Sequence, residues 1–196
     1  MRKLPFLGLI CILMILLLVS VFGLCRLLPK VLPEPNWVIT DVAQYSEIRD
    51  RDWHDGPLVQ HFPDKIPANA TDAHVLYSVP FMQKGAYFQL RFKLPPQQIA
   101  DLLAEYNARS VWKYTGCAYS EQDCYTTGEN DPPLPTFYVD GSPDGVVRPL
   151  NYTIFVLGAR PRGGSDPPDF PWNHGHTYGV AINRSTSEVL YWAEAW

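Results

Sequence analysis

The sequence is short of charge, of cysteine and of positive charge in particular. Charged residues make up 18% of its 196 positions, below the roughly 25% of an ordinary globular domain. Three of the 16 bases (Arg2, Lys3, Arg26) and none of the 20 acids fall in the first 28 residues, leaving a net charge of −7 on the remainder. Phosphate backbones repel such a surface and no basic stripe offsets it, which argues against nucleic acid as a partner. Of the four cysteines, Cys11 and Cys25 belong to an apolar run and only Cys117 and Cys124 lie beyond it. Two thiols cannot complete a four-ligand structural zinc site. There is no internal repeat, no GxSxG elbow, no HExxH, no phosphate loop and no GxGxxG fingerprint, so the familiar routes to hydrolysis and nucleotide binding are missing. No cofactor is expected.

Proline is abundant instead. Its 19 residues are about twice the usual share of roughly 5%, so long helices are unexpected beyond the N-terminus. The one long hydrophobic run stands there: LPFLGLICILMILLLVSVFGLC carries no charge from Leu4 through Cys25. As a helix rising 1.5 Å per residue it reaches about 33 Å, enough to cross a hydrocarbon core of roughly 30 Å. A cleaved signal needs a shorter core and small residues before the cut, and only Val21-Phe-Gly23 comes close. A lipoprotein signal needs a small residue before its cysteine, whereas Leu24 precedes Cys25. The expected organisation is a transmembrane signal anchor over residues 1–28, a stiff proline-rich spacer over 29–35 and an extracytoplasmic domain over 36–196. Arg2 and Lys3 on one side and Arg26 and Lys30 on the other leave orientation to the cysteines. Cys117 and Cys124, with six residues between them in GCAYSEQDCY, suit a small structural disulfide loop in an exported domain; two free thiols in a cytosolic domain are the alternative.

The domain reads as α+β. Asp41 to Arg49 suits a short helix with Val42, Tyr45 and Ile48 on one side, and prolines then force HFPDKIPANA into irregular geometry. Ala73 to Val79 is β-compatible. In Tyr87 to Leu94 the residues Phe88, Leu90, Phe92 and Leu94 alternate with Gln89, Arg91 and Lys93, a half-buried strand. Pro96 opens a helix whose Ile99, Leu102, Leu103 and Tyr106 share one face. A short edge strand is expected at Thr136 to Val139, and Asn151 to Gly158 is apolar on both faces, as a central strand would be. Tyr178 to Ile182 and Glu188 to Trp192 flank NRSTS as a hairpin. These elements predict an antiparallel sheet packed with one main helix and ending in a β-hairpin.

Few residues carry a chemical signal. In PWNHGHTYG, His174 and His176 would project to one face of an extended chain, with Asp166 and Asp169 as the nearest carboxylates. A strand beginning only at about Tyr178 leaves both histidines in a polar approach loop, and a metal site needs at least three placed ligands. No metal is therefore expected, these four being the candidates if one binds. Asp50, Asp52, His54 and Asp55 match no known cation loop and read as a polar turn ending in Gly56. Arg160, Arg162, Gly163 and Gly164 form a cationic turn. Ser142 and Ser165 have no activating pattern around them. The ending Tyr191-Trp192-Ala-Glu-Ala-Trp196 suits core and rim packing, with Trp196 a candidate partner contact.

HFPDKIP, YFQLRFKLPPQQI and YGVAINRSTSEVLYWAEAW, in that order, resemble segments of a family of small bacterial cell-envelope proteins that begin with a lipoprotein signal or membrane anchor. The resemblance spans roughly residues 58–108 and 178–196. It implies an extracytoplasmic bacterial domain and brings no catalytic residue with it. The leading expectation is a membrane-anchored, non-enzymatic domain that contacts another envelope protein or a small ligand. One alternative is a metal-dependent or hydrolytic enzyme centred on His174 and His176. Another is an immunity-type inhibitor of a periplasmic toxin, which the acidic surface would suit.

Overall fold

Strict alternation in Tyr87–Leu94 produces a strand with Phe88, Leu90 and Phe92 on one side, all three essentially inaccessible to water. The computed structural model describes residues 38–53, 56–78, 85–116, 137, 151–161 and 175–196. Its strands are β1 (Val38–Ile39), β2 (Thr71–Ser78), β3 (Ala86–Lys93), β4 (Trp112–Thr115), β5 (Thr153–Pro161), β6 (Gly175–Asn183) and β7 (Glu188–Ala195). They form one seven-stranded sheet in the order β1-β2-β3-β7-β6-β5-β4, every neighbouring pair antiparallel. The expected α+β class holds at this level: an antiparallel sheet with few helices. No helix among the described residues is long and apolar enough to cross a membrane, and the apolar run at 4–25 lies outside them.

Three helical segments cover one face. The first, α1 (residues 42–52), starts as a 3-10 turn capped by the Asp41 side chain, passes through one α turn and widens into a π turn. There the Trp53 N–H donates to the Ile48 carbonyl at 3.0 Å, and Trp53 enters the core between Tyr77 and Phe88. A short α2 (Gly56–Val59) follows. The main helix, α3 (Pro96–Arg109), begins with Pro96 in the first turn and ends where Ser110 turns extended. Ile99 and Tyr106 are buried, and Leu102 and Leu103 pack beside them, as the spacing predicts. Tyr45, Ile48, Leu58, Phe62 and the α3 face cover Phe88, Leu90, Tyr191 and Val180 of the sheet. Each large side chain fully withdrawn from water there contributes about 1.5–3 kcal/mol.

The opposite face is also closed at its centre. Ile154, Val156, Ala181, Leu190 and Trp192 pack with Tyr114, Tyr152 and Phe137. This second layer explains why β5 is apolar on both sides. The expected edge strand at Thr136–Val139 lies outside the described residues except for Phe137, which is buried. The C-terminal hairpin forms as expected. Its turn is fastened by Asn183, whose Oδ1 accepts from the Ser185 N–H at 3.0 Å, the Ser185 hydroxyl at 2.7 Å and the Thr186 N–H at 3.2 Å.

Two expectations need correction. Strand β6 begins at Gly175 rather than near Tyr178, because Gly175 and Trp196 exchange N–H···O bonds at 3.0 Å and extend the ladder. His176 is thus a strand residue with Ala195 and Arg160 as register partners, not part of an approach loop. Strand β4, in the stretch WKYT after α3, was not expected at all and forms the edge beside β5.

Candidate functional site

The site grows from a break in regular pairing. The β5–β6 register shifts between Val156 and Gly158, a one-residue bulge at Leu157 that re-aims this side chain. Beyond the bulge Tyr178 lies flat across Gly158, where a Cβ would come within 2.6 Å of its ring. One residue on, Gly179 lies beneath the Trp192 indole, and a Cβ there would meet the ring at 2.5 Å and strike the Phe155 carbonyl oxygen. Two glycines thus let aromatic rings settle on the backbone of the central strands.

The segment after α2 comes down onto this surface. His61 is buried, and its Nε2 donates to the Gly179 carbonyl at 2.9 Å and the Trp192 carbonyl at 3.1 Å. Two carbonyl acceptors fix the proton on Nε2 and leave Nδ1 as a bare lone pair. Nδ1 is out of contact with solvent and has no hydrogen-bond partner among the described residues. The ring sits among Phe62, Tyr178 and Tyr191, with centroids 4.7, 5.4 and 6.1 Å away. Burial pushes its pKa from 6.5 down to about 3; the two backbone hydrogen bonds oppose the shift, and the charge of Arg109 adds to it. His61 is therefore neutral at any physiological pH.

A cleft of about 280 Å³ opens beside it, lined by Pro57, Gln60, His61, Arg109, Leu157 and Tyr178. That is near the lower end for small-ligand pockets and holds roughly nine waters' worth of volume. Arg109 closes α3, where a cation suits the helix C-terminus. Its Nη1 bonds Glu105, and its guanidinium carbon stands 5.4 Å over the Tyr106 ring. The remaining guanidinium N–H groups, the Gln60 amide and the Tyr178 hydroxyl have no hydrogen-bond partner among the described residues. The Gln60 amide and the Tyr178 hydroxyl can each donate and accept, and the Arg109 cation is already paired with Glu105. Such a lining suits a small polar ligand that both donates and accepts hydrogen bonds.

The residues singled out from sequence are placed differently. His176 lies on the same sheet face as Tyr178, one same-face step along β6, and is half-buried; Arg160 faces it across β5. His174, Asp166, Asp169, Cys117 and Cys124 lie outside the described residues, as do His54, Asp55, Ser142, Ser165, Arg162, Gly163 and Gly164. Asp50 and Asp52 fall in the π turn of α1, where Asp50 is held by Arg49 at 2.6 Å. Among the described residues no three His, Cys, Asp or Glu side chains gather as a metal would need. A separate charged cluster sits at the start of β2, where Asp72 takes Lys93 at 2.8 Å and His74 at 2.9 Å. Its carboxyl is lowered to about 2, chiefly by the hydrogen bond from Lys93. These partners are two-fifths or more exposed, an open surface ion pair that satisfies itself.

Sequence reading passed over His61, which stands in HFPDKIP with no motif around it. Its importance comes from carbonyls 118 and 131 residues further on. Gly158 and Gly179, each following apolar strand residues, were the only local hints of close approach. Compared with known protein families, curated proteins and solved structures, the chain matches none.

Proposed function

We propose that the chain is a single-pass, membrane-anchored protein of the bacterial envelope whose extracytoplasmic domain binds a small ligand without transforming it. The cleft beside His61 carries this reading. Its histidine is locked in one tautomer by two strand carbonyls and is too weak a base, at about 3, to take up a proton at neutral pH. The Gln60 amide and Tyr178 hydroxyl beside it can both donate hydrogen bonds to a ligand and accept them. The anchor rests on the uncharged run Leu4–Cys25, and export on the spacing of Cys117 and Cys124.

Location is tested with C-terminal fusions expressed in a bacterium. An active alkaline phosphatase fusion, a dark green-fluorescent fusion and retention of the chain in carbonate-washed membranes are expected. An inactive phosphatase or release of the chain by carbonate would overturn the anchored, outward reading. Non-enzymatic binding is tested by recovering ligands intact after incubation with purified protein, and their conversion would refute it.

A further inference from the structure

Charge is balanced at the cleft beside His61. The Arg109 guanidinium is paired with the Glu105 carboxylate, and His61 is neutral, with its Nε2–H committed to two strand carbonyls. A charged ligand entering the cleft would shed water and find no counter-charge of its own, which favours an uncharged occupant. Two lining groups await partners: the Gln60 amide and the Tyr178 hydroxyl make no hydrogen bond among the described residues. Each both donates and accepts, so the groups that satisfy them best also do both, as hydroxyls do. The remaining wall is apolar. Pro57 and Leu157, the latter at the bulge of β5, line it with the half-buried ring of Tyr178, which rests on Gly158.

From this, and resting on the binding role proposed above, we infer that the ligand is a neutral sugar, held as a single pyranose ring. The C–H face of the ring lies against Tyr178, Pro57 and Leu157, and two of its hydroxyls bond the Gln60 amide and the Tyr178 hydroxyl. A ring with an apolar face and a hydroxyl rim meets both kinds of wall at once. A simple alcohol has one hydroxyl and leaves Gln60 or Tyr178 unpaired. A small primary amide has one polar edge and no carbon face to lay on the aromatic ring. The volume of about 280 Å³ takes one sugar ring, and further units of an oligosaccharide would lie in solvent.

Saturation-transfer NMR on the full-length chain, in a zwitterionic detergent without a sugar headgroup, tests this. The probes are glucose, galactose, mannose and N-acetylglucosamine, set beside charged glucuronate and glucosamine and beside acetamide. At least one neutral sugar is expected to bind at least about fivefold more tightly than the charged analogues and acetamide, with saturation strongest on the protons of one ring face. Gln60 is exposed, so Gln60→Ala should leave the thermal melt in place and weaken that sugar at least about fivefold. Tyr178→Phe, which keeps the ring over Gly158, should weaken it too while the same ring face stays saturated. No saturation of any of the four sugars, equal binding of the charged analogues or an unaffected Gln60→Ala variant would each overturn the assignment. Acetamide bound at Gln60 in place of every sugar would refute the ligand class and leave the binding role standing. A sugar that binds and is recovered altered would refute the non-enzymatic role and leave the ligand class standing.

Discussion

His61 offers the sharpest test of the fold's energetics. In the folded chain its pKa lies near 3, while an exposed histidine titrates near 6.5. A depressed folded pKa means that below pH 6.5 the unfolded chain takes up a proton which the folded chain refuses. Stability contributed by this residue is thus full at neutral pH and declines as pH falls, by up to about 1.4 kcal/mol per pH unit. Between pH 7 and pH 4.5 the loss comes to about 2.5 kcal/mol. The comparison protein is His61→Gln, which does not titrate and retains an amide N–H to offer the two carbonyls. At pH 7 it should be less stable by about 1–3 kcal/mol, from weaker hydrogen bonds and a lost ring among Phe62, Tyr178 and Tyr191. By pH 4.5 most of that gap should close. Glu188, whose carboxyl is raised mainly by burial, acts with the opposite sign but equally in both proteins. The other four histidines cancel in the same way. Urea unfolding at half-unit steps of pH measures the difference, expected as a relative fall of roughly 1 M in the wild-type midpoint. Parallel pH profiles for the two proteins would refute the account, since they would show that His61 titrates alike in both states.

Other substitutions probe the frame around the site. Gly179→Ala puts a methyl group into the Trp192 ring and the Phe155 carbonyl oxygen, and should lower stability by at least about 3 kcal/mol in denaturant titration. Asn183→Ala removes three acceptor contacts from the β6–β7 turn and should cost about 1–2 kcal/mol, seen as faster amide exchange at Ser185 and Thr186. Thr177 is wholly buried and its hydroxyl has no partner among the described residues, so Thr177→Val should raise stability by about 1 kcal/mol by removing an unsatisfied polar group. A destabilised valine variant would show that this hydroxyl has a partner in solution.

What sequence reveals and hides here follows from the range of each interaction. The alternation in β3, the i, i+3, i+4, i+7 face of α3 and the turn residues after Asn183 are local patterns, and each forms as the spacing predicts. Strand β4 escapes because four residues are too few for a period and its status depends on β5 beside it. The start of β6 was misplaced because Gly175 has little strand propensity of its own, and only the exchange of bonds with Trp196 holds it in the ladder. The cleft was the least legible part. Its six residues come from the segments around α2, the end of α3, β5 and β6, and the bulge that shapes it leaves no mark in composition.

The position of β7 bears on how such a chain is made. Strands β1–β3 form one half of the sheet and β4–β6 the other, and among the described residues β7 is the only strand that touches both. Every residue of either half is synthesised before residues 188–195, so neither half can be joined to the other while the ribosome is still at work on them. The carbonyl of Trp192 that receives His61 awaits that insertion. Until β7 is made the two halves have no shared neighbour in the sheet, so the sheet stays open while they are synthesised.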